Sequence, residues 1–210
     1  RSNRSAFLHW AAVAALALVT LWAGRWGLEL IRADLAFMEP RHQISQWVYG
    51  REQYTQADWA RAYSRMRQAI ELSPKNPVLH EYMGSLLSLR GQAYWQSDVL
   101  RNAFFLDARK HQRISVKLRP TNGRTWAGLA LSLHALNIEG WELDHAIGQA
   151  VFYAPHDTRV QKQIAAIVMA RWSVVEPRHR NWLRSAYRDE NTRQRLQLDR
   201  LAKTYGIRFI

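Results

Sequence analysis

The stretch MRQAIELSPKNPVLHEYMG, residues 66–84, decides how the chain folds. Ala69, Ile70, Glu71 and Leu72 close a helix, and Ser73, Pro74 and Lys75 turn the chain. Asn76 then offers its side chain as an N-cap, and Pro77 takes the first helical position, where no backbone donor is needed. Upstream, Trp59, Ala62, Tyr63, Met66, Ala69 and Ile70 follow one another at helical spacing and form one apolar stripe. The fold therefore turns on whether this helix–turn–helix occurs once or recurs.

It recurs. Gly50, Ala69 and Leu72 reappear 34 residues on as Gly84, Ala103 and Leu106. A period of about 34 residues is that of the tetratricopeptide repeat, a helical hairpin that buries its apolar face only by stacking on a neighbour. The first unit runs over 43–76, with Gly50 read as a point of close helix approach. The second, 77–122, opens on His80, Met83, Gly84 and Leu87, with Gly91 read as its inter-helix turn. Its second helix is expected from about Ala93 to Leu118, because Pro120 and Asn122 repeat Pro74 and Asn76 at an offset of 46. The third unit, 123–156, carries Trp126, Leu129, Ala130 and Leu133, then Ala150 and Pro155; its halves disagree by one residue, placed in the loop IEGWELD. A fourth pair over 157–188 keeps the periodicity without the signature, as terminal repeats do. The segment 189–210 reads as a capping helix with Leu196, Leu198 and Leu201 inward.

Ahead of the repeats, Ser5 to Gly24 (SAFLHWAAVAALALVTLWAG) carries no full charge and lies between Arg4 and Arg25. Twenty helical residues span about 30 Å, the thickness of a bilayer's hydrocarbon core. Trp10 and Trp22 sit toward its ends, where interfacial aromatics belong. The stretch lacks an A-x-A cleavage site and continues into a helix-like pattern, so the expectation is an anchor rather than a cleaved leader. The chain thus divides into an N-terminal flank (1–4), a transmembrane helix (5–24), a helical connector (25–42), the repeats (43–188) and the cap. Ala11, Ala15, Ala23 and Gly27 give the span small residues on which a partner helix could seat, or are apolar filler.

Composition narrows the chemistry. There is no cysteine, so disulfides, thiolate metal sites and a cysteine nucleophile are excluded. Thirty basic residues, 25 of them arginine, oppose 17 acidic ones for a net charge of +13, which favours anionic partners. Between residues 176 and 210 nine basic residues face four acids, with Trp182, Tyr187 and Tyr205 among them. Such a stretch suits a sugar acid or is a solvated face, and a membrane tether argues against nucleic acid. His80-Glu81 starts like a zinc-protease helix, but Gly84 stands where the second histidine belongs. No phosphate loop or nucleophile elbow occurs, and no histidines pair at i and i+4. No cofactor, metal or catalytic residue is expected.

The layout resembles the VpsP-like proteins of bacterial exopolysaccharide biosynthesis loci. The resemblance is carried by Arg32-Ala33-Asp34-Leu35 after the span, by Ala69-Ile70-Glu71-Leu72-Ser73-Pro74, and by Leu118-Arg119-Pro120 followed by Thr125-Trp126-Ala127-Gly128-Leu129-Ala130. It implies a single-pass protein of the bacterial inner membrane, all-α as the repeats predict; a cytoplasmic N-terminus and a periplasmic C-terminal domain are expected from the usual arrangement of an N-terminal signal anchor, the positive-inside count being nearly balanced. It also implies a non-catalytic accessory of polysaccharide polymerisation or export, read here as a scaffold that gathers membrane proteins of a polysaccharide assembly complex in contact with lipid; the basic charge adds an acidic glycan as a candidate partner. A scaffold of a secretion, pilus or cofactor-maturation complex, or an enzyme acting on glycan, shares the layout. By analogy with repeat proteins, the concave partner-binding positions are Trp47, Arg51, Tyr54, Glu81, Ser85, Ser88, Arg124 and His134.

Overall fold

The computed structural model describes residues 2–189 and 192–207, with side chains from Trp10 onward except those of residues 11, 26, 29, 30, 33, 189, 192–194, 196 and 197. All secondary structure among the described residues is helical: α1 (Ser2–Val48), α2 (Gln56–Leu72), α3 (Pro77–Ala93), α4 (Asp98–Leu118), α5 (Gly123–Ala135), α6 (Trp141–Tyr153), α7 (Thr158–Ala170), α8 (Pro177–Asp189) and α9 (Thr192–Tyr205). The chain forms two compact units, Arg1–Lys75 and Asn76–Ile210.

In the first unit α1 is a single helix of 47 residues with Pro40 inside it. Expected span, connector and repeat entry are therefore one element. Its end is set by Gly50 at φ 61, where the Arg51 amide donates to the Gln46 carbonyl and the Gly50 amide to the Trp47 carbonyl. This left-handed closure suits glycine and caps the helix, so Gly50 is a terminator and not a point of close approach. Phe37, Ile44 and Trp47 on α1 are buried, as are Ala62, Met66 and Ala69 on α2, and the two helices pack together. A capping box starts α2: the Asp58 amide donates to Thr55 Oγ1 at 3.2 Å and the Thr55 amide donates to Asp58 Oδ2 at 2.9 Å.

The rest of α1 has no such cover. Trp10, Val13, Leu16, Leu18, Val19, Leu21, Trp22, Leu28, Ile31, Leu35 and Met38 are all exposed. Successive helical residues step about 100° round the axis, so these side chains point in every direction rather than along one stripe. The expected span over 5–24 includes 5–9 and 11, whose side chains lie outside the described residues. Among the described residues no helix is long and apolar enough to cross a membrane.

In the second unit α3–α4, α5–α6 and α7–α8 are consecutive helix pairs. α3 contacts α5, α5 contacts α7, and α7 contacts α9, so the first helices of successive pairs line up side by side. A continuous core built on Leu129, Leu133, Leu143, Ile147, Ile164, Val168 and Leu183 extends to Leu198 and Ala202 on α9. Leu201 is half-buried against it, while the side chain of Leu196 lies outside the described residues.

One four-residue joint recurs: Ser73-Pro74-Lys75-Asn76, Arg119-Pro120-Thr121-Asn122 and Ala154-Pro155-His156-Asp157. Its first residue lies at φ/ψ of −140/70, −141/77 and −137/55, and its last at −82/110, −93/97 and −79/102. The reason is chemical. Proline cannot continue the preceding helix, and the Asn or Asp side chain accepts the amide of the residue two further on: Val78, Arg124 and Arg159.

The structure corrects several expectations. Gly91 lies inside α3, where a Cβ would sit 2.9 Å from the Phe105 ring, so it is a packing notch and not a turn. α4 begins at Asp98, capped by Ser97, rather than near Ala93. Ala103 and Leu106 are exposed while Phe105 and Ala108 are buried, so the 34-residue identity in that helix is not its structural register. The α5–α6 loop is 136–140, with Asn137 at φ 56 and Gly140 at φ 86, and Trp141 to Asp144 already belong to α6.

Candidate interaction surface

Most of the eight expected binding residues are engaged within the protein. Trp47 is buried with its ring 5.0 Å from that of Tyr54. The Arg51 guanidinium lies over the Tyr49 ring at 4.8 Å. Glu81, on α3, accepts from the Asn122 side chain at 2.5 Å. Burial pushes its carboxyl above the usual range, against the opposing pull of the Thr125 hydroxyl, Arg119, Asn122 and Arg124. Ser85 donates back to the Glu81 carbonyl of its own helix.

Ser88 is fully enclosed. Gln112 Nε2 donates to its hydroxyl at 3.3 Å, and Ser132 donates to Gln112 Oε1 at 2.7 Å. This three-residue chain ties α3, α4 and α5 together. Its room comes from two glycines: a Cβ on Gly84 would sit 2.7 Å from Gln112 Cγ, and one on Gly128 3.1 Å from Gln112 Nε2. A buried amide is tolerated only when paired in this way.

Charged side chains brace successive helix pairs. Arg124 Nε donates to Asp157 at 2.6 Å. Burial alone would raise the Asp157 carboxyl, but the hydrogen bond and charge of Arg124, with the amides of Val160 and Arg159, hold it below its ordinary value. Arg109 and Arg113 on α4 both reach Glu142 on α6, at 2.5 Å and 2.6 Å. There too burial works upward and is outweighed by the two guanidiniums, so Glu142 stays below the usual carboxylate range. Arg171, just past α7, donates to His134 Nδ1 at 3.1 Å and to the His134 carbonyl, and pairs with Glu139. Burial first and the Arg171 charge second lower the His134 pKa, keeping its ring a neutral acceptor.

Two histidine contacts escape any short-range pattern. His80 and His111 meet with Nδ1 atoms 2.9 Å apart across α3 and α4. Burial, then the His80 charge, push His111 down to about 4. Buried His179 lies 3.4 Å from Asp144 Oδ1. These partners stand 31 and 35 residues apart, and only the pairing of helices brings them together. Among the described residues no group of three or more His, Asp or Glu gathers to hold a metal ion.

Of the residues expected to seat a partner helix, Ala15 and Ala23 are exposed and a Cβ on Gly27 would meet nothing within 4 Å; the side chain of Ala11 lies outside the described residues. Among the large hydrophobic side chains open to solvent in the second unit are Trp95, Trp141 and Phe152. No family model matches the chain, and no curated protein or solved structure matches it either.

Proposed function

We propose that the protein is a non-catalytic, membrane-anchored scaffold of bacterial exopolysaccharide biosynthesis or export. The observation that carries this reading is the joining, in one chain, of a stack of helix pairs to a helix whose large apolar residues Trp10, Val13, Leu16, Leu18, Val19, Leu21, Trp22, Leu28, Ile31 and Leu35 are exposed. In this reading the N-terminal half of α1 is the single transmembrane helix, since apolar side chains on all sides of a helix are stable where the surroundings are apolar too. The helix pairs are a tetratricopeptide-like array, supported by the recurrent joint and the alignment of α3, α5 and α7. They sit on the periplasmic side of the inner membrane and hold partner proteins. The polysaccharide setting rests on the resemblance to the VpsP-like proteins.

The test is affinity purification of the full chain in mild detergent, with mass spectrometry of the co-purifying proteins. A polysaccharide polymerase, flippase or glycosyltransferase is the expected recovery. Recovery of a secretion, pilus or cofactor-maturation machine instead would move the scaffold to that complex and overturn the polysaccharide assignment.

A further inference from the structure

Past Arg25 the surface of α1 changes. Up to that residue large apolar side chains are exposed all round the helix. Beyond it, among the described residues of α1, the exposed ones are Leu28, Ile31, Leu35 and Met38, each between 57% and 68% exposed. They follow one another at spacings of three, four and three. That is the a and d pattern of a heptad, with Leu28 and Leu35 at a and Ile31 and Met38 at d. The charged residues Arg32 and Glu39 fall at e, Asp34 and Arg41 at g, and Glu29 at b, so none interrupts the seam. The helix runs unbroken through this stretch. The stripe is therefore already in the conformation in which a neighbour would meet it, and no ordering of the backbone is needed for the contact.

The fold of the first unit leaves this stripe open. α2 packs on α1, where Phe37, Pro40, Ile44 and Trp47 are buried. At about 100° per residue these four lie on the side of the helix opposite the stripe. Another helix can thus approach along residues 28–38 without displacing α2. An a/d seam fits a helix that repeats the same pattern at the same height, which a copy of this chain supplies. The flanking charges permit a parallel arrangement, in which residue g of one heptad faces residue e of the next on its neighbour. Of the pairs Gly27–Arg32 and Asp34–Glu39, the second alone joins two charges. Both are acidic, and Arg65 of α2, 2.8 Å from Glu39, offsets that repulsion.

We infer that residues 28–38 of α1 form a self-association seam through which copies of this chain assemble in parallel. Leucine at a with isoleucine at d favours three or four strands over two. The inference goes beyond the scaffold reading and rests on it for the parallel orientation, because a shared membrane aligns the copies and confines them at a high effective concentration.

The experiment is disulfide crosslinking of the full chain in membranes, with sedimentation equilibrium in mild detergent. The sequence holds no cysteine, so a single one can be introduced at Leu28, Ile31, Leu35 or Met38, and for comparison at Glu29 or Ala33, positions b and f of the same heptad. Oxidation should yield a linked pair from each of the four seam variants and little from Glu29→Cys and Ala33→Cys. Linking at all four identical positions requires a parallel, in-register contact, since an antiparallel pair brings like positions together at its midpoint alone. The parent should sediment with the mass of three or four copies. Leu35→Glu sets like charges facing one another in the seam and should weaken association at least about tenfold. Because Leu35 is exposed within its own chain, that variant should keep the parent's helix content by circular dichroism. A monomeric parent, equal linking at all six positions, or linkage to a different protein in place of a second copy would overturn the inference. Polysaccharide enzymes recovered with a monomeric chain would leave the scaffold reading standing, whereas linked copies of a chain that does not enter membranes would keep the seam and remove that reading.

Discussion

The two units solve the same problem differently. In Asn76–Ile210 each helix turns its apolar face toward another helix, and Leu133, Ile147 and Ile164 are completely buried. In α1 the residues from Trp10 to Met38 are at least as apolar, but Leu18, Leu21 and Trp22 lie about two-thirds exposed. Apolar character therefore does not by itself locate a core. What separates the regions is whether the chain supplies a partner surface, which the packed helices α3 to α9 do for one another and nothing in the described first unit does for the leading part of α1.

The largest expected effect tests that contrast whole. Residues 76–210 produced alone should remain monomeric in buffer without detergent and unfold cooperatively, whereas the full chain should sediment with membranes; sedimentation and thermal unfolding of both would show it. A detergent-free, monomeric full chain would break the comparison.

Next come single side chains. Leu133→Ala should cost about 2–5 kcal/mol in the denaturant unfolding of the second unit, as large-to-small core changes do. Leu21→Ala in α1 should stay within about 0.5 kcal/mol, the range for an uncovered position.

Glycines sharpen the same contrast. At Gly123 a Cβ would lie 2.8 Å from the backbone Ala150 O and Ala154 N, neither of which can swing aside. Gly123→Ala should therefore destabilise by about 1–3 kcal/mol. At Gly24 a Cβ would meet nothing within 4 Å, so Gly24→Ala should gain helix propensity, up to about 1 kcal/mol. Opposite signs in thermal unfolding are the expected result.

The joints were legible in the sequence because their chemistry is local: Pro74, Pro120 and Pro155 announce the stops, and Asn76 and Asn122 the starts. Gln112, His80 and His111 were not. Their environment is made by residues 20 to 31 positions away, and nothing nearby in the chain distinguishes a buried glutamine from a surface one. Gly91 misled for a related reason: a glycine that admits the Phe105 ring and one that turns the chain look alike until the opposing helix is known. The concave positions inferred by repeat register include Ser88, Arg124 and His134, whose internal partners Gln112, Asp157 and Arg171 no short-range pattern announces.

A smaller effect concerns those joints. Asn122→Ala removes the acceptor for the Arg124 amide and should cost about 1 kcal/mol, read as a shift in the urea midpoint of the second unit.

The smallest is a pH slope. His111 in the folded state titrates at about 4, against 6.5 for an ordinary histidine, because of burial and then His80. Between these values the unfolded chain binds more protons than the folded one, so stability is full above pH 6.5 and falls progressively toward pH 4. His134 and His179, also lowered chiefly by burial, slope the same way. His111→Gln should flatten the urea midpoint against pH over this window, and an unchanged slope would assign it to the other two.

The repeated joint has a further consequence. Starting at Ser73, Arg119 and Ala154, it recurs after 46 and then 35 residues with nearly the same dihedral angles. The difference in length is absorbed between the joints, where α4 alone runs to 21 residues. The connectors thus share one backbone geometry while the stretches between them differ in length, the design of a coupling that sets the chain's course independently of what it joins, so exchange of the SPKN and RPTN tetrapeptides is expected to leave the fold intact.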